Sequence, residues 1–311
     1  MNLTHAGFGP EYKDMDLRHC TVCPKKCGAD RTVRPGFCGS RAELRIARAA
    51  LHYGEEPCIS GTAGSGTVFF SGCSLRCVFC QNYEVSRHSF GEEITVSRLA
   101  EIFRELEDQG ANNINLVTPT HWAPQIAEAL SLYRPRIPVL YNCGGYESVE
   151  TLRQLEGLVD VWLPDIKYAD PELARKFSGA ADYPETAFAA VEEMLRQCGH
   201  LQLDARGLAV RGVMIRHLVL PLHLKNSFAV LDGIAERFGT ETWVSLMFQY
   251  TPIREIPDSP ELNRTLTRRE RERAEAYLEE KGLLNGYVQE PDSRGTAFIP
   301  RFDLTGVTGR D

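Results

Sequence analysis

Residues 67–80 read TVFFSGCSLRCVFC: the apolar, β-branched and aromatic run Thr67–Ser71 leads straight into Gly72-Cys73-Ser74-Leu75-Arg76-Cys77-Val78-Phe79-Cys80. The first part has the composition of a buried strand. The second sets three cysteines, spaced by three and two residues, on one loop. Thiolates spaced in this way can take three corners of an iron–sulfur cubane. Three ligands leave one iron open, and an open position is what separates a catalytic metal site from a structural one. A zinc site, or a four-cysteine cluster with its fourth ligand elsewhere, is the alternative.

Working outward, five further strand candidates follow: Asn113–Thr118, Pro138–Cys143, Val159–Lys167, Val210–Leu220 and Thr242–Gln249. Helical periodicity fills the gaps. After Ser97, the residues Leu99, Ile102, Phe103 and Leu106 share a face, and similar patterns cover Ala123–Tyr133, Val149–Leu155, Glu185–Cys198, Ser227–Phe238 and Arg268–Lys281. Six successive βα units imply an α/β fold with a parallel sheet and right-handed crossovers. Periodicity leaves open whether that sheet is flat or rolled into a partial barrel. A short helix is expected around Arg41–Leu51, and strand-like pieces at Gly286–Gln289 and Ala297–Ile299 in the tail.

The 311 residues are 43% hydrophobic, enough for a large core, and the net charge of −7 lowers the expectation of a nucleic-acid partner. No apolar run is long enough to span a membrane. Met1–Asp16 lacks the apolar segment of a secretory leader, so a reducing, cytoplasmic setting is expected. Eight of the ten cysteines lie between Cys20 and Cys80, a clustering that suits metal ligation in such a compartment better than a disulfide framework.

With Phe79 beside Cys80, the C-x3-C-x2-C loop resembles the signature of the radical S-adenosylmethionine superfamily. Cys80-Gln81-Asn82 and Asp165-Ile166-Lys167 are similar to the branch containing activating enzymes of glycyl-radical enzymes. Over nearly the whole chain the likeness is to homologues of pyruvate formate-lyase activating enzyme. The resemblance implies a partial (βα)6 TIM-like barrel at 61–255, an N-terminal cysteine-rich metal-binding region at 1–60, and a C-terminal helix and tail packed on the barrel at 256–311. It implies a [4Fe-4S] cluster on Cys73, Cys77 and Cys80 that chelates S-adenosylmethionine. Reductive cleavage then yields a 5′-deoxyadenosyl radical, which takes hydrogen from a substrate.

The resemblance also implies cofactor contacts. Phe79 would lie near the adenine. Asp165 and Lys167, two apart on a strand and so on one face, would sit at the methionine end, with Asp165 and Asn142 as candidates for a monovalent cation. Arg216, rather than its neighbour His217, would face the interior. Where many relatives carry G-G-E, this chain has Thr118-Pro119-Thr120-His121, so Thr118 and Thr120 are the candidate acceptors for the amino group. His121 reads equally as a contact or as a loop histidine. Gln249 and Tyr250 would face the substrate side.

Upstream, Cys20-x2-Cys23-x3-Cys27-x10-Cys38 supplies four thiolates for a second metal, either zinc or an iron–sulfur cluster. Cys58 is a further ligand or a buried small residue; Cys143 and Cys198 are expected in the core. The expected partners are a flavodoxin- or ferredoxin-type reductant and either a glycyl-radical enzyme or a small molecule as substrate. An electron-transfer or redox-sensing protein without cofactor cleavage is the rival function.

Overall fold

The computed structural model describes residues 15–289 and 300–309. The expected strand piece Ala297–Ile299 and most of the segment read for a leader lie outside them. An N-terminal loop carrying the first cysteines leads into β1 (Leu44–His52), the short helix α1 (Pro57–Ser60) and β2 (Ser65–Phe70). The cysteine loop follows, then α2 (Tyr83–Ser86), β3 (Glu92–Ile94) and α3 (Val96–Asp108). Strand and helix then alternate: β4 (Ile114–Val117), α4 (Ala123–Leu132), β5 (Val139–Cys143), α5 (Val149–Gln154) and β6 (Val161–Pro164). Two helices, α6 (Pro171–Ser178) and α7 (Tyr183–Cys198), precede the short β7 (Gln202–Leu203) and the long β8 (Ala209–Leu218). The series ends with α8 (Leu224–Phe238), β9 (Trp243–Met247), α9 (Arg268–Glu280) and β10 (Gly286–Val288).

The sheet order is β10-β9-β8-β6-β5-β4-β2-β1-β3, with β7 attached to β8. From β2 to β10 the neighbours are parallel, so all six expected strands are present and β10 adds a seventh. The ends of this path do not pair among the described residues, leaving a partial barrel. Period-two alternation fixes its two faces. Trp162, Ile166 and Ile215 point outward into the large core shared with the helices, where α3 buries Leu99, Ile102, Phe103 and Leu106. Leu140, Val161, Leu163 and Met214 point inward and meet Cys58 and Ile59 of α1, which fills the interior.

The helix expected at Arg41–Leu51 is instead β1. Its Ala, Arg and Leu content favours helix locally, but the chain pairs antiparallel with β2 on one side and β3 on the other. That pairing covers the edge of the parallel sheet, and tertiary hydrogen bonding overrides propensity. The strand at 44–52 is thus continuous with the barrel sheet. The tail also docks here: Ala49 N donates to Thr305 O at 2.8 Å, and Val307 is buried.

Among the described residues, no helix is long and apolar enough to cross a membrane.

Candidate active site

The C-terminal ends of the parallel strands surround a cavity of ≈ 630 Å³, a size typical of small-molecule sites. Cys73, Cys77 and Cys80 open into it from the loop after β2. The loop owes its shape to two residues with positive φ, Gly72 at 83° and Arg76 at 58°. Gly72 is obligatory on steric grounds as well, because a Cβ there would meet the Ser40 hydroxyl and lie 2.8 Å from Cys38 O. Backbone bonds then pin the loop: Gly72 N to Val85 O at 2.9 Å, Cys73 N to Cys38 O at 3.1 Å and Val78 N to Phe177 O at 2.8 Å.

Burial raises the pKa of all three thiols, Cys73 to about 11, and each feels another cysteine of the set as a like charge. Lys167 is the cation common to the three. Ser178, the last residue of α6, donates its hydroxyl to Cys77 Sγ at 3.0 Å and meets Tyr168 OH at 2.8 Å. Three crowded, desolvated sulfurs with one ammonium nearby are costly as free thiolates, whereas a cationic iron–sulfur core neutralises them and displaces their protons. Among the described residues no group of three or more His, Cys, Asp or Glu side chains is gathered so as to hold a metal ion. Three cysteine side chains opening on one cavity, with Lys167 as their shared cation, are the donor set an iron–sulfur cluster with one open iron requires.

Opposite the thiols, Asp165 and Lys167 form an ion pair on the inner face at the end of β6, and Ile166 points away into the helix-side core. Burial alone would lower the pKa of Lys167, but the charges of Asp165 and Cys77 outweigh it and hold the ammonium above its ordinary range. Thr118, Thr120, Asn142 and Phe79 also line the cavity, as do Gln249 and Tyr250. Phe79 packs edge-on to Phe177 and Tyr250, each at 6.2 Å between centroids.

Arg216 faces the cavity and His217 does not; the histidine bonds Ile166 O and Ser227 Oγ behind the sheet. The guanidinium, however, is engaged by Glu56 and by Glu55, the latter at 2.7 Å. Burial would raise the pKa of Glu56, yet Arg216 holds it below the usual carboxylate range. These two carboxylates carry no recognisable spacing in the sequence. Glu147 was equally unmarked. It is a fully buried carboxyl on the cavity wall, accepting from Thr120 Oγ1 at 2.7 Å and from Tyr141 OH at 3.2 Å, and burial pushes it up to about 7.

His121 lies outside the cavity lining. Its Nε2 donates to Ser71 O at 2.9 Å, and burial lowers its pKa to about 3, so the ring is a neutral brace behind the cluster loop. Cys143 and Cys198 are both in the core as expected, and Cys143 also reaches the cavity lining beside Glu147.

The four upstream cysteines occupy one loop region. Cys20, Cys23 and Cys38 are buried and Cys27 is exposed. The region abuts the cavity loop through the Cys38–Cys73 backbone bond, and Lys25 Nζ reaches Gly179 O at 2.6 Å, next to Ser178.

Residues 67–199 match the family described as the radical SAM superfamily. An uncharacterized protein of Methanocaldococcus jannaschii, MJ0674, is 32% identical over 277 residues, covering 86% of this chain and 76% of the relative. Among solved structures, Streptococcus suis SuiB bound to S-adenosylmethionine has a TM-score of 0.48 at 14% identity, over 73% of this chain. This chain spans 50% of the SuiB chain. Methylornithine synthase (PylB) gives a TM-score of 0.47 at 13% identity, over 70% of this chain and 60% of that one.

Proposed function

This chain belongs to the radical SAM superfamily, and on that premise we propose that it is an enzyme that initiates radical chemistry on a substrate admitted to the barrel cavity. The observation that carries this reading is the opening of Cys73, Cys77 and Cys80 onto one cavity wall, with Asp165 and Lys167 on the same cavity. Cys73, Cys77 and Cys80 would hold a [4Fe-4S] cluster and the strand ends S-adenosylmethionine, which together supply reductive sulfonium cleavage and a carbon radical able to take hydrogen.

The protein's part is binding, orientation and exclusion of water. Lys167 offers its ammonium to a carboxylate, and Asp165, Thr118 and Thr120 offer oxygens to an amine. Thr120 donates its proton to Glu147, so its lone pairs stay available. Asn142 and Asp165, on neighbouring strands, are the oxygen donors for a monovalent cation. Phe79 and Tyr250 present aromatic surface for a flat base. Arg216, held by Glu55 and Glu56, lines the same cavity and remains a candidate cofactor contact.

The finer reading is an activase that removes hydrogen from a glycine Cα of a glycyl-radical enzyme, with a flavodoxin- or ferredoxin-type protein as reductant. The motifs Cys80-Gln81-Asn82 and Asp165-Ile166-Lys167 support it.

The test is anaerobic reconstitution, reduction and incubation with S-adenosylmethionine. Formation of 5′-deoxyadenosine is expected; its absence in protein carrying a full cluster overturns the enzyme reading. Adding a glycyl-radical enzyme and recording a glycine-centred EPR doublet tests the finer one. Cofactor cleavage without that doublet would leave a small-molecule substrate.

A further inference from the structure

Apart from the cysteines, the charged side chains on the cavity lining are the carboxyls of Glu55, Glu56, Glu147 and Asp165 and the cations Lys167 and Arg216. Asp165 and Lys167 cancel each other as an ion pair. Glu147 is held apart by Thr120 and Tyr141, and burial pushes it up to about 7. What is left is Glu55 and Glu56 sharing the single cation Arg216. His52, the histidine of the lining, packs edge-on to Phe69 at 6.4 Å and pairs with no carboxylate among the described residues. The triad therefore carries a surplus negative charge.

Hydrogen bonding shows the same surplus. Arg216 Nε donates to Glu56 Oε1 at 3.0 Å, and its Nη2 donates to Glu55 Oε2 at 2.7 Å and to Glu56 Oε2. Glu55 Oε1 accepts from Asn115 Nδ2 at 3.1 Å. Asn115 is fully buried, and its Oδ1 has no donor among the described residues. Turning the amide over would set that oxygen against a carboxylate, so the orientation is fixed. A carboxylate has room for about four hydrogen bonds, and Glu55 takes two from protein. A desolvated site with excess charge and excess acceptors is costly unless a cationic donor enters it.

The cofactor does not remove the surplus. S-adenosylmethionine is a net cation, but an iron–sulfur core with three thiolates is a net anion, so the two offset each other. Apolar surface stands next to the charges. By strand alternation Leu218 shares the inner face of β8 with Arg216, and Met247 shares that of β9 with Ser245, and all four line the cavity.

We propose that the substrate is an alkylamine, its ammonium group bound by Glu55 and its carbon stem lying along Leu218 and Met247. This rests on the reading of the cavity as the reaction chamber of a radical enzyme, and names the chemistry that chamber admits. Three N–H donors on one positive charge supply what the triad lacks.

The probe is radiolabelled n-butylamine, in equilibrium dialysis at neutral pH against the full chain loaded with its cluster and S-adenosylmethionine. Saturable binding is expected, displaced by unlabelled butylamine and far less by 1-butanol or butyrate, which share the stem and lack the cation. Glu55→Gln should weaken amine binding about tenfold or more and abolish the preference for amine over alcohol. No saturable binding, displacement by butanol or butyrate equal to that by the amine, or wild-type affinity and preference in Glu55→Gln overturns the proposal. The variant leaves Arg216 matched one-to-one with Glu56, so it should fold, and the competition among the three solutes needs only the wild type.

A blocked glycyl-lysyl-glycine peptide separates the two sources of such a group. Displacement by the peptide as well assigns the ammonium to a polypeptide lysine, and displacement by the free amine alone assigns it to a small molecule. Dialysis reads binding whether or not the cofactor is cleaved. Formation of 5′-deoxyadenosine is scored separately, so failure here and failure of the radical reading remain distinguishable.

Discussion

The Ser178 hydroxyl donates to Cys77 Sγ at 3.0 Å, across 101 positions of sequence, and Tyr168 OH stands 2.8 Å behind it. A helix C-terminus thereby reaches a ligand of the radical site. Hydrogen bonds to cluster sulfurs favour the more negative, reduced state. Ser178→Ala should lower the midpoint potential of that cluster, on the order of tens of millivolts. An EPR-monitored redox titration checks this, and an unchanged potential would confine Ser178 to packing.

Lys167 pairs with Asp165 and is the cation common to all three thiols. Lys167→Ala should weaken S-adenosylmethionine binding by about tenfold or more, equivalent to about 1.4 kcal/mol. Equilibrium dialysis on cluster-loaded protein measures it. Wild-type affinity in the variant would remove Lys167 from the cofactor site.

Arg216 is the buried partner of two carboxylates, with side-chain exposures of 7%, 13% and 9% for Arg216, Glu55 and Glu56. Deleting one partner of such a network leaves uncompensated charge. Arg216→Met should destabilise the fold by about 3–5 kcal/mol, and Glu55→Gln/Glu56→Gln in the same chain should recover much of that loss. Urea denaturation of the three proteins is the measurement.

Glu147 gives a pH dependence with a definite sign. Its folded pKa is raised by burial to about 7, against about 4.3 unfolded. Below the lower value both states are protonated and the contribution of the neutral buried carboxyl is fully present. As pH rises toward 7 the unfolded chain ionises first, and stability falls by up to a few kcal/mol. Glu147→Gln should lack that component, so the stability difference between variant and wild type should grow between about pH 4.5 and 7 and then level off. Urea midpoints for both proteins at pH 4.5, 6 and 8 test this.

The parts of the fold legible in sequence were those with short-range causes. The strand feeding the cysteine loop, the six βα units, the shared face of Asp165 and Lys167, and the inward choice of Arg216 over His217 all follow from spacings of a few residues. Where a local rule met a distant partner, the partner won. Arg41–Leu51 has helix-favouring composition, yet the exposed edge of β2 drew residues 44–52 into β1.

What the sequence by itself determined was the donor set and its setting: three cysteines on the loop after a strand, within an α/β alternation, with four more upstream. Ligand spacing and periodicity are properties of neighbouring residues, and any chain carrying them expresses them. Only the tertiary structure decided which charges meet. Glu55 and Glu56 join Arg216 from about 160 positions away, Ser178 finds Cys77, and Arg31 is buried against Cys20 and the Trp122 ring with no carboxylate partner among the described residues. The physical reason is desolvation: a buried charge must be matched by whatever the folded backbone brings beside it, and that partner has no fixed distance along the chain.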